Sequence, residues 1–245
     1  MMPNLAVGRA KMRIFTVVTV ILILTTGAVR AQMDVPNDTT VTAVSETDVH
    51  WKIVQKEIEQ ITKGAPDSPI GNKLEMVGRI EGWAIRELFP GWEFYAVSYS
   101  NYKKEGFDDR PVSLAAGLGL TLAVGPDSRL NIRMSHYGNH EEYGHLLIET
   151  KAAIRNTDDA NLVWHAFCEI HRKAWKGRTV EKVSETEWKL GIYSYDQTVS
   201  VVDGLSTIVK RTHFMQVTTD ATSKQITSWK SVVETSNNRL RRTEG

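Results

Sequence analysis

The sequence predicts an α+β fold in which antiparallel sheets pack on helices. Two kinds of apolar spacing carry this prediction: some segments repeat every three to four residues, as helices do, and others alternate, as strands do. A helix is clearest at residues 160–175, which follow an acidic first turn and end near Gly177. A hairpin is clearest where alternating segments flank the turn at residues 125–128.

The first half of the chain predicts two helices followed by strands. Apolar residues within 51–61 have helical spacing, and Gly64 supplies a stop. A second helix is predicted at 68–90, because Ser68 can cap a first turn and Pro69 suits the first helical position. Strands are predicted at 92–99, 118–124 and 130–134, and a weaker helical pattern covers 141–154.

The second half repeats the order that begins with the helix at 68–90, namely helix, strand, long connection, strand, turn and strand. After the helix at 160–175, strands are predicted at 188–192, 208–219 and 225–233, with a turn at 220–223. The two hairpin turns begin at Gly125 and Asp220, which are 95 residues apart, and the first strands of the two halves have the same offset. The pattern favours two similar helix-plus-sheet units; the alternative is that small α+β domains share such an order by chance.

This order of elements resembles the general pattern of cystatin-like and PepSY-type secreted modules, in which a helix is followed by an antiparallel sheet that wraps it. The segment 214–220, leading through a turn to Ile226, loosely resembles a PepSY hairpin. The resemblance implies a fold and not an activity, because one fold hosts many functions.

The first 31 residues have the three parts of a signal peptide. Arg9, Lys11 and Arg13 form a positive segment, residues 14–24 are apolar, and residues 29–31 resemble a cleavage site. We therefore expect a secreted or periplasmic protein cleaved after Ala31; the alternative is an uncleaved membrane anchor. The expected organisation is a signal peptide at 1–31, a flexible arm at 32–48, a first α+β unit at 49–156, a second at 157–236 and a basic tail at 237–245.

Charge and cysteine content narrow the classes of function. The chain has 30 basic and 29 acidic residues, and the predicted leader holds four of the basic and none of the acidic ones. The mature chain therefore has 26 basic against 29 acidic residues, a net charge of −3. A mildly acidic protein lacks the basic surface that nucleic acids require, so no nucleic-acid partner is expected. Cys168 is the single cysteine, so no intrachain disulfide can form.

One cluster of polar residues has the chemistry of a metal site. His136, His140, Glu141 and His145 carry imidazole and carboxylate groups, which are zinc ligands. The spacing departs from the helical metalloprotease pattern, because Gly144 occupies the position of the second histidine and His145 comes one residue late. The two interpretations are a metal site and an exposed loop that is rich in histidine by chance.

A second cluster lies on the predicted helix at 160–175. Trp164, Cys168, His171 and Trp175 follow each other by four, three and four residues and form an apolar stripe. Cys168 and His171 have the residue types of a nucleophile and its base, but a thiol between tryptophans is typical of core packing. We expect packing, and the sequence assigns no catalytic residue.

These observations predict an exported, non-enzymatic module that binds another protein or a small ligand, without a cofactor and without membrane contact after leader cleavage. Edge strands and the concave side of a curved sheet would be the natural contact surface. Two alternatives stay open: a metal-dependent hydrolase that uses the histidines of residues 136–145, and a structural envelope protein held by an uncleaved leader.

Overall fold

Two antiparallel sheets, each with its strands in chain order, form the frame of the protein. The computed structural model describes residues 39–242 apart from 45–47, 49, 65–66, 107–117, 128–129, 136–139, 173–176, 178 and 203–204. The predicted signal peptide therefore lies outside the described residues, as does most of the predicted arm; residues 40–43 of that arm form a strand of the first sheet.

The α+β class, with antiparallel sheets packed on helices, is confirmed. The first sheet contains β1 (Thr40–Ala43), β2 (Ile70–Glu81), β3 (Glu93–Lys103), β4 (Leu118–Val124) and β5 (Leu130–Ser135). The second sheet contains β6 (Thr179–Lys182), β7 (Glu187–Val202), β8 (Leu205–Thr219) and β9 (Ile226–Arg242). The helices are α1 (Trp51–Lys63), α2 (Trp83–Leu88), α3 (Glu141–Glu149) and α4 (Thr157–His171).

Alternation along β3 gives the first sheet two apolar faces, because successive side chains point to opposite sides of a strand. Tyr95 and Val97 pack with Val54 of α1. Phe94 and Ala96 belong to the main core on the other face, together with residues of α2, α3 and α4. The first sheet is therefore covered by α1 on one side and by the other three helices on the opposite side.

Helix α4 lies between the two sheets, so that it is buried around most of its circumference. Asn156 caps its first turn through a side-chain hydrogen bond. Thr121 of β4 donates a hydrogen bond to the carbonyl oxygen of Ile170 (2.8 Å), and Tyr143 of α3 donates one to that of Val163 (2.7 Å). These bonds attach α4 to the first sheet and to α3.

The predicted helix at 68–90 is wrong. Strand β2 occupies most of this segment, and only the short α2 follows it. β2 pairs with β1 and β3, and a Cβ added to Gly78 would overlap Val41 of β1. Glycines weaken a helix interior, and pairing with two distant strands determines the structure instead.

Most other local predictions are confirmed. Helix α1 lies where it is predicted, and β4 and β5 flank the first predicted turn. The helix predicted at 160–175 is observed as α4, which begins at Thr157 and ends at His171; residues 173–175 of the prediction lie outside the described residues. In the second turn, the Asp220 carboxylate accepts hydrogen bonds from the backbone N–H groups of Thr222 and Ser223. The weaker helical pattern corresponds to α3, which ends at Glu149. No helix in the part of the chain that the structure describes is long and apolar enough to cross a bilayer.

Three strands of the second sheet continue past α4. β6 pairs with β7 only at residues 188–192, whereas β7, β8 and β9 stay paired as far as Val202, Leu205 and Arg242. We call the part formed by residues 193–202, 205–213 and 233–242 the distal ribbon. Most described side chains of β7 and β9 in this ribbon are exposed.

Candidate functional site

A cavity of about 170 Å³ opens where the second sheet leaves α4. Its walls come from α4, from the residue before α3, and from β7, β8 and β9. The lining residues are His140, Trp164, Gly191, Tyr193, His213, Phe214, Met215 and Ser231. We call this cavity the cleft.

One wall of the cleft depends on the fit between Trp164 and Gly191. A Cβ added to Gly191 would overlap the Trp164 ring, and Gly191 has a φ of 66°, which favours glycine. β7 also shifts its register between Leu190 and Tyr193. The indole Nε1–H donates a hydrogen bond to the carbonyl oxygen of Gly177 (3.1 Å). A glycine at position 191 therefore lets the tryptophan approach the strand backbone.

Three stacked rings extend the cleft onto the distal ribbon. Tyr193 and His213 stand opposite each other in register, and their ring centroids are 5.0 Å apart with an interplanar angle of 16°. Tyr195 stacks on His213 at 5.3 Å, and the His213 Nε2 and Tyr195 hydroxyl oxygen are 3.2 Å apart. Tyr193 and Tyr195 share a face because they are two residues apart on one strand. Their meeting with His213 requires the strand register, which no local pattern indicates.

Burial raises the pKa of Tyr193, and the nearby Tyr195 adds to the increase. The Tyr193 phenol therefore keeps its proton at neutral pH and can donate a hydrogen bond. Together with the aromatic faces and the imidazole of His213, it makes the cleft a surface for apolar or aromatic groups with a polar end.

His140 is buried on the inner side of the cleft, at the left-handed residue that precedes α3. Its ring packs edge-on against Phe167 (5.1 Å between centroids) and His171 (4.5 Å). The His171 Nδ1 lies 2.9 Å from the carbonyl oxygen of Phe167. The structure therefore brings His140 to the aromatic face of α4.

The other predicted metal ligands have different surroundings. Glu141 and His145 are exposed on α3, and His136 lies outside the described residues. Among the described residues, the group whose metal-ligating atoms converge does not include these histidines. A metal at His136, His140, Glu141 and His145 stays a prediction.

Cys168 is buried in the main core on α4. Trp164 and His171, its predicted neighbours on the helix, are buried as well. Burial of this thiol supports the packing interpretation, because a reactive thiol needs exposure.

A cluster that the sequence does not predict lies at the start of α1. Asp48 and His50 precede the helix, and Glu93 and Tyr95 alternate at the start of β3. The His50 Nδ1 lies 2.8 Å from a Glu93 oxygen, and the Tyr95 hydroxyl lies 2.8 Å from Asp48 and 2.5 Å from Glu93. Arg79 of β2 forms an ion pair with Glu93 (2.9 Å). The sequence separation between the two halves of this cluster explains why no spacing rule reveals it.

The chemistry of this cluster suits either an ion-pair network or a binding site for a metal cation. Burial raises the pKa of Glu93, but hydrogen bonds from Tyr95 and His50 and the charge of Arg79 outweigh this effect and lower the pKa overall. The ligand atoms of Asp48, His50 and Glu93 lie within 4.8 Å of one another, so these residues could hold a metal ion. Arg79 already supplies positive charge, and the network joins the start of α1 to the first sheet.

A second, wider groove of about 410 Å³ lies at the C-terminal ends of α2 and α3. Apolar residues dominate its walls, and two carboxylates stand among them. The lining residues are Leu88, Phe89, Pro90, Trp92, Pro126, Asp127, Glu149 and Thr150.

Comparison with models of known protein families, with curated proteins and with solved structures gave no match for this chain.

Proposed function

We propose that the protein is an exported, non-enzymatic module that binds another protein and accepts one of its apolar or aromatic side chains in the cleft. The observation that carries this proposal is a cavity beside a stack of three rings, of which Tyr195 is exposed and Tyr193 and His213 are half-buried. Aromatic rings contribute large contact areas at low entropic cost and are enriched in the anchor residues of protein interfaces.

The size of the cleft favours a side chain over a whole ligand. Pockets for drug-sized molecules have volumes of about 300–1,000 Å³, whereas the cleft has about 170 Å³. A single large side chain fits this space, and the stack of Tyr193, His213 and Tyr195 supports the segment on either side of it.

The edge of β7 offers a backbone contact beside the cleft. Among the described residues, 193–202 of β7 pair with β8 alone. An extended partner segment can add to such an edge through main-chain hydrogen bonds, and its alternate side chains then point toward one face. Tyr193, which lines the cleft, lies at the start of this edge, and Gly191, which also lines it, lies two residues before.

Site-specific photo-cross-linking in the native host tests this proposal. A photoreactive phenylalanine replaces Tyr195 in one variant and Val183 in a control, because these side chains have similar exposure (41% and 44%) and Val183 lies outside the ribbon. We expect a discrete protein adduct from position 195 and none from position 183. Equal labelling at both positions, or no adduct at 195, would count against the proposal.

The wider groove favours a second candidate function, the binding of a small apolar ligand. Its volume of about 410 Å³ lies within the range of small-molecule sites. A ligand of this site should raise the unfolding temperature of the wild-type protein and lose this effect in Trp92→Ala. The Trp83→Ala variant is the matched control, because Trp83 does not line the groove.

Export rests on the leader pattern of residues 1–31, and we propose cleavage after Ala31. The intact mass of the protein from the native host tests this. A mature N-terminus at Gln32 is expected, and a full-length chain in the cytoplasmic fraction would contradict export.

We also propose that two related units, at 49–156 and 157–236, make up the mature chain. In the first half α1 precedes β2–β5, with α2 between β2 and β3 and β1 at the sheet edge, and in the second half α4 precedes β6–β9; the strands of each sheet are antiparallel and in chain order. This order supports the resemblance to cystatin-like and PepSY-type modules. Relatives whose halves align with each other in sequence would support duplication, and relatives with an unrelated first unit would oppose it.

A further inference from the structure

The most exposed apolar side chains of the described residues gather at the end of the distal ribbon. Leu240, Val202 and Val201 are 71%, 63% and 58% exposed, which exceeds every other large apolar side chain in the described ranges. Val199 and Leu205 are also exposed. We call these five residues the ribbon tip. Large exposed apolar groups mark interaction sites when they are contiguous.

Strand register brings these residues together. Val202 pairs with Leu205 across β7 and β8, and Thr207, two residues along, pairs with Leu240 of β9. Val202, Leu205 and Leu240 therefore lie on one face and are contributed by three strands.

The tip is apolar on both faces of the ribbon. Val201 and Val202 are consecutive in β7, so their side chains point to opposite faces, and both are more than half exposed. A folded partner that docks on a sheet covers one face. A medium that surrounds the tip from both sides accounts for apolar residues on both faces, and the interface of a lipid bilayer is such a medium.

The net charge of the ribbon indicates the charge of the lipid surface that it would contact. Residues 193–213 and 233–242 hold five basic and three acidic residues, a net charge of +2. The rest of the chain after residue 31 holds 21 basic and 26 acidic residues, a net charge of −5. Three of the basic residues flank Leu240, and register places Arg242 opposite Leu205 and Arg241 opposite Ser206. Positive charge is thus concentrated beside the apolar tip of an otherwise acidic chain.

We propose that the ribbon tip docks the protein on an anionic phospholipid surface, with Val201, Val202 and Leu240 inserted at the headgroup boundary and with the basic sequence around Leu240 favouring anionic lipids. Basic residues beside a shallow apolar insertion are the combination that binds peripheral proteins to anionic membranes. The expectation of no membrane contact follows from the lack of a spanning segment, which does not bear on a surface contact. The docking is independent of the cleft.

Fluorescence at the tip tests the insertion in the full chain. Val202→Cys is labelled with an environment-sensitive fluorophore, and Cys168 stays unlabelled because it is buried. Ile148→Cys, at an exposed position on α3, is the matched control. With vesicles of phosphatidylcholine and phosphatidylglycerol, we expect a blue shift and increased emission at 202, no change at 148, and no change at either position with phosphatidylcholine alone. Attachment through the leader alone would bring both labels to the vesicle without a selective shift at 202, and would overturn the proposal.

Vesicle sedimentation tests the two parts of the tip separately. Substituting Arg239, Arg241 and Arg242 with Gln should lower the partition coefficient about a hundredfold, since each basic residue near an anionic surface contributes about a factor of five. V201S/V202S/L240S should lower it at least about tenfold through lost apolar burial. The control L74S/I148S/V183S removes three exposed apolar side chains elsewhere and should bind as the wild type does.

Unfolding curves of these variants in urea check that the sheet is intact, and the single-site fluorophore measurement does not depend on the triple variants. Equal vesicle binding by V201S/V202S/L240S, the tip variant, and by the wild type would overturn the proposal. So would sedimentation velocity showing a wild-type dimer that the tip variant loses, because a second copy of the chain would then cover the tip.

Discussion

The indole of Trp164 lies against the backbone of Gly191 in β7. Gly191 has no side chain there, and its φ is positive. This approach joins α4, which also packs on the first sheet, to the second sheet. It also forms one wall of the cleft, which Trp164 and Gly191 both line. The stability of the junction and the shape of the candidate site therefore depend on the same pair of residues.

Replacing Trp164 with Ala should destabilise the protein by about 3–5 kcal/mol, because the change removes a buried aromatic side chain and leaves a cavity. The free energy of unfolding in urea measures this. Trp83→Ala is the control, since Trp83 is partly exposed, and it should cost much less. Equal losses in the two variants would contradict the central position of Trp164.

Cys168 should react slowly with a thiol reagent in the native protein and rapidly after unfolding, because burial keeps the reagent from the sulfur. Absorbance of the released chromophore in buffer and in urea measures both rates. Val183→Cys supplies an exposed thiol as a reference. Rapid labelling of the wild type under native conditions would support a catalytic thiol instead.

Glu93 should stabilise the protein at neutral pH and lose this effect in acid. Its pKa in the folded protein is lowered below the ordinary 4.5. Its stabilising contribution is therefore present above that value and disappears as pH falls through the lowered pKa. The difference in unfolding free energy between wild type and Glu93→Gln should be largest near pH about 7 and shrink below pH about 4. A difference that stays constant across this range would contradict the ion-pair network, and Glu234→Gln on the exposed edge is the control.

Glu169 of α4 accepts hydrogen bonds from the backbone N–H groups of Ala84 (3.4 Å) and Ile85 (2.9 Å) at the start of α2. Glu169→Ala should cost about 1–3 kcal/mol, since it leaves buried donors without their acceptor. Glu169→Gln should cost less, because the amide oxygen still accepts. Urea denaturation of the two variants measures this, and equal losses would show that the hydrogen bonds contribute little.

The contribution of Glu169 to stability should depend on pH with the opposite sign to that of Glu93. Burial raises the pKa of this carboxyl, and the backbone hydrogen bonds oppose the increase without cancelling it. The associated stability is fully present below the ordinary value of 4.5 and is lost as pH rises through the raised pKa. Glu169→Gln should remove this loss.

Local patterns predict α1, α4 and the turn at Asp220, because these elements are specified by their own apolar spacing and turn residues. The helix predicted at 68–90 is wrong because the structure of β2 depends on its pairing with β1 and β3, which lie elsewhere in the sequence. The cleft is also non-local. The sequence indicates His140 only as a candidate metal ligand. Tyr193 meets His213 only through the register of β7 with β8.

The ¹³C-methyl spectrum of the methionines tests the cleft most directly. The protein has seven methionines, of which Met215 lines the cleft, and Met215→Leu assigns its resonance. Titration with N-acetylphenylalaninamide, which carries a single aromatic side chain, should shift the Met215 signal. The signals of Met134 in the core and Met76 on β2 should stay fixed. A Met215 signal that does not move at saturating amide, or a uniform shift of all three, would contradict a side-chain-binding cleft beside α4.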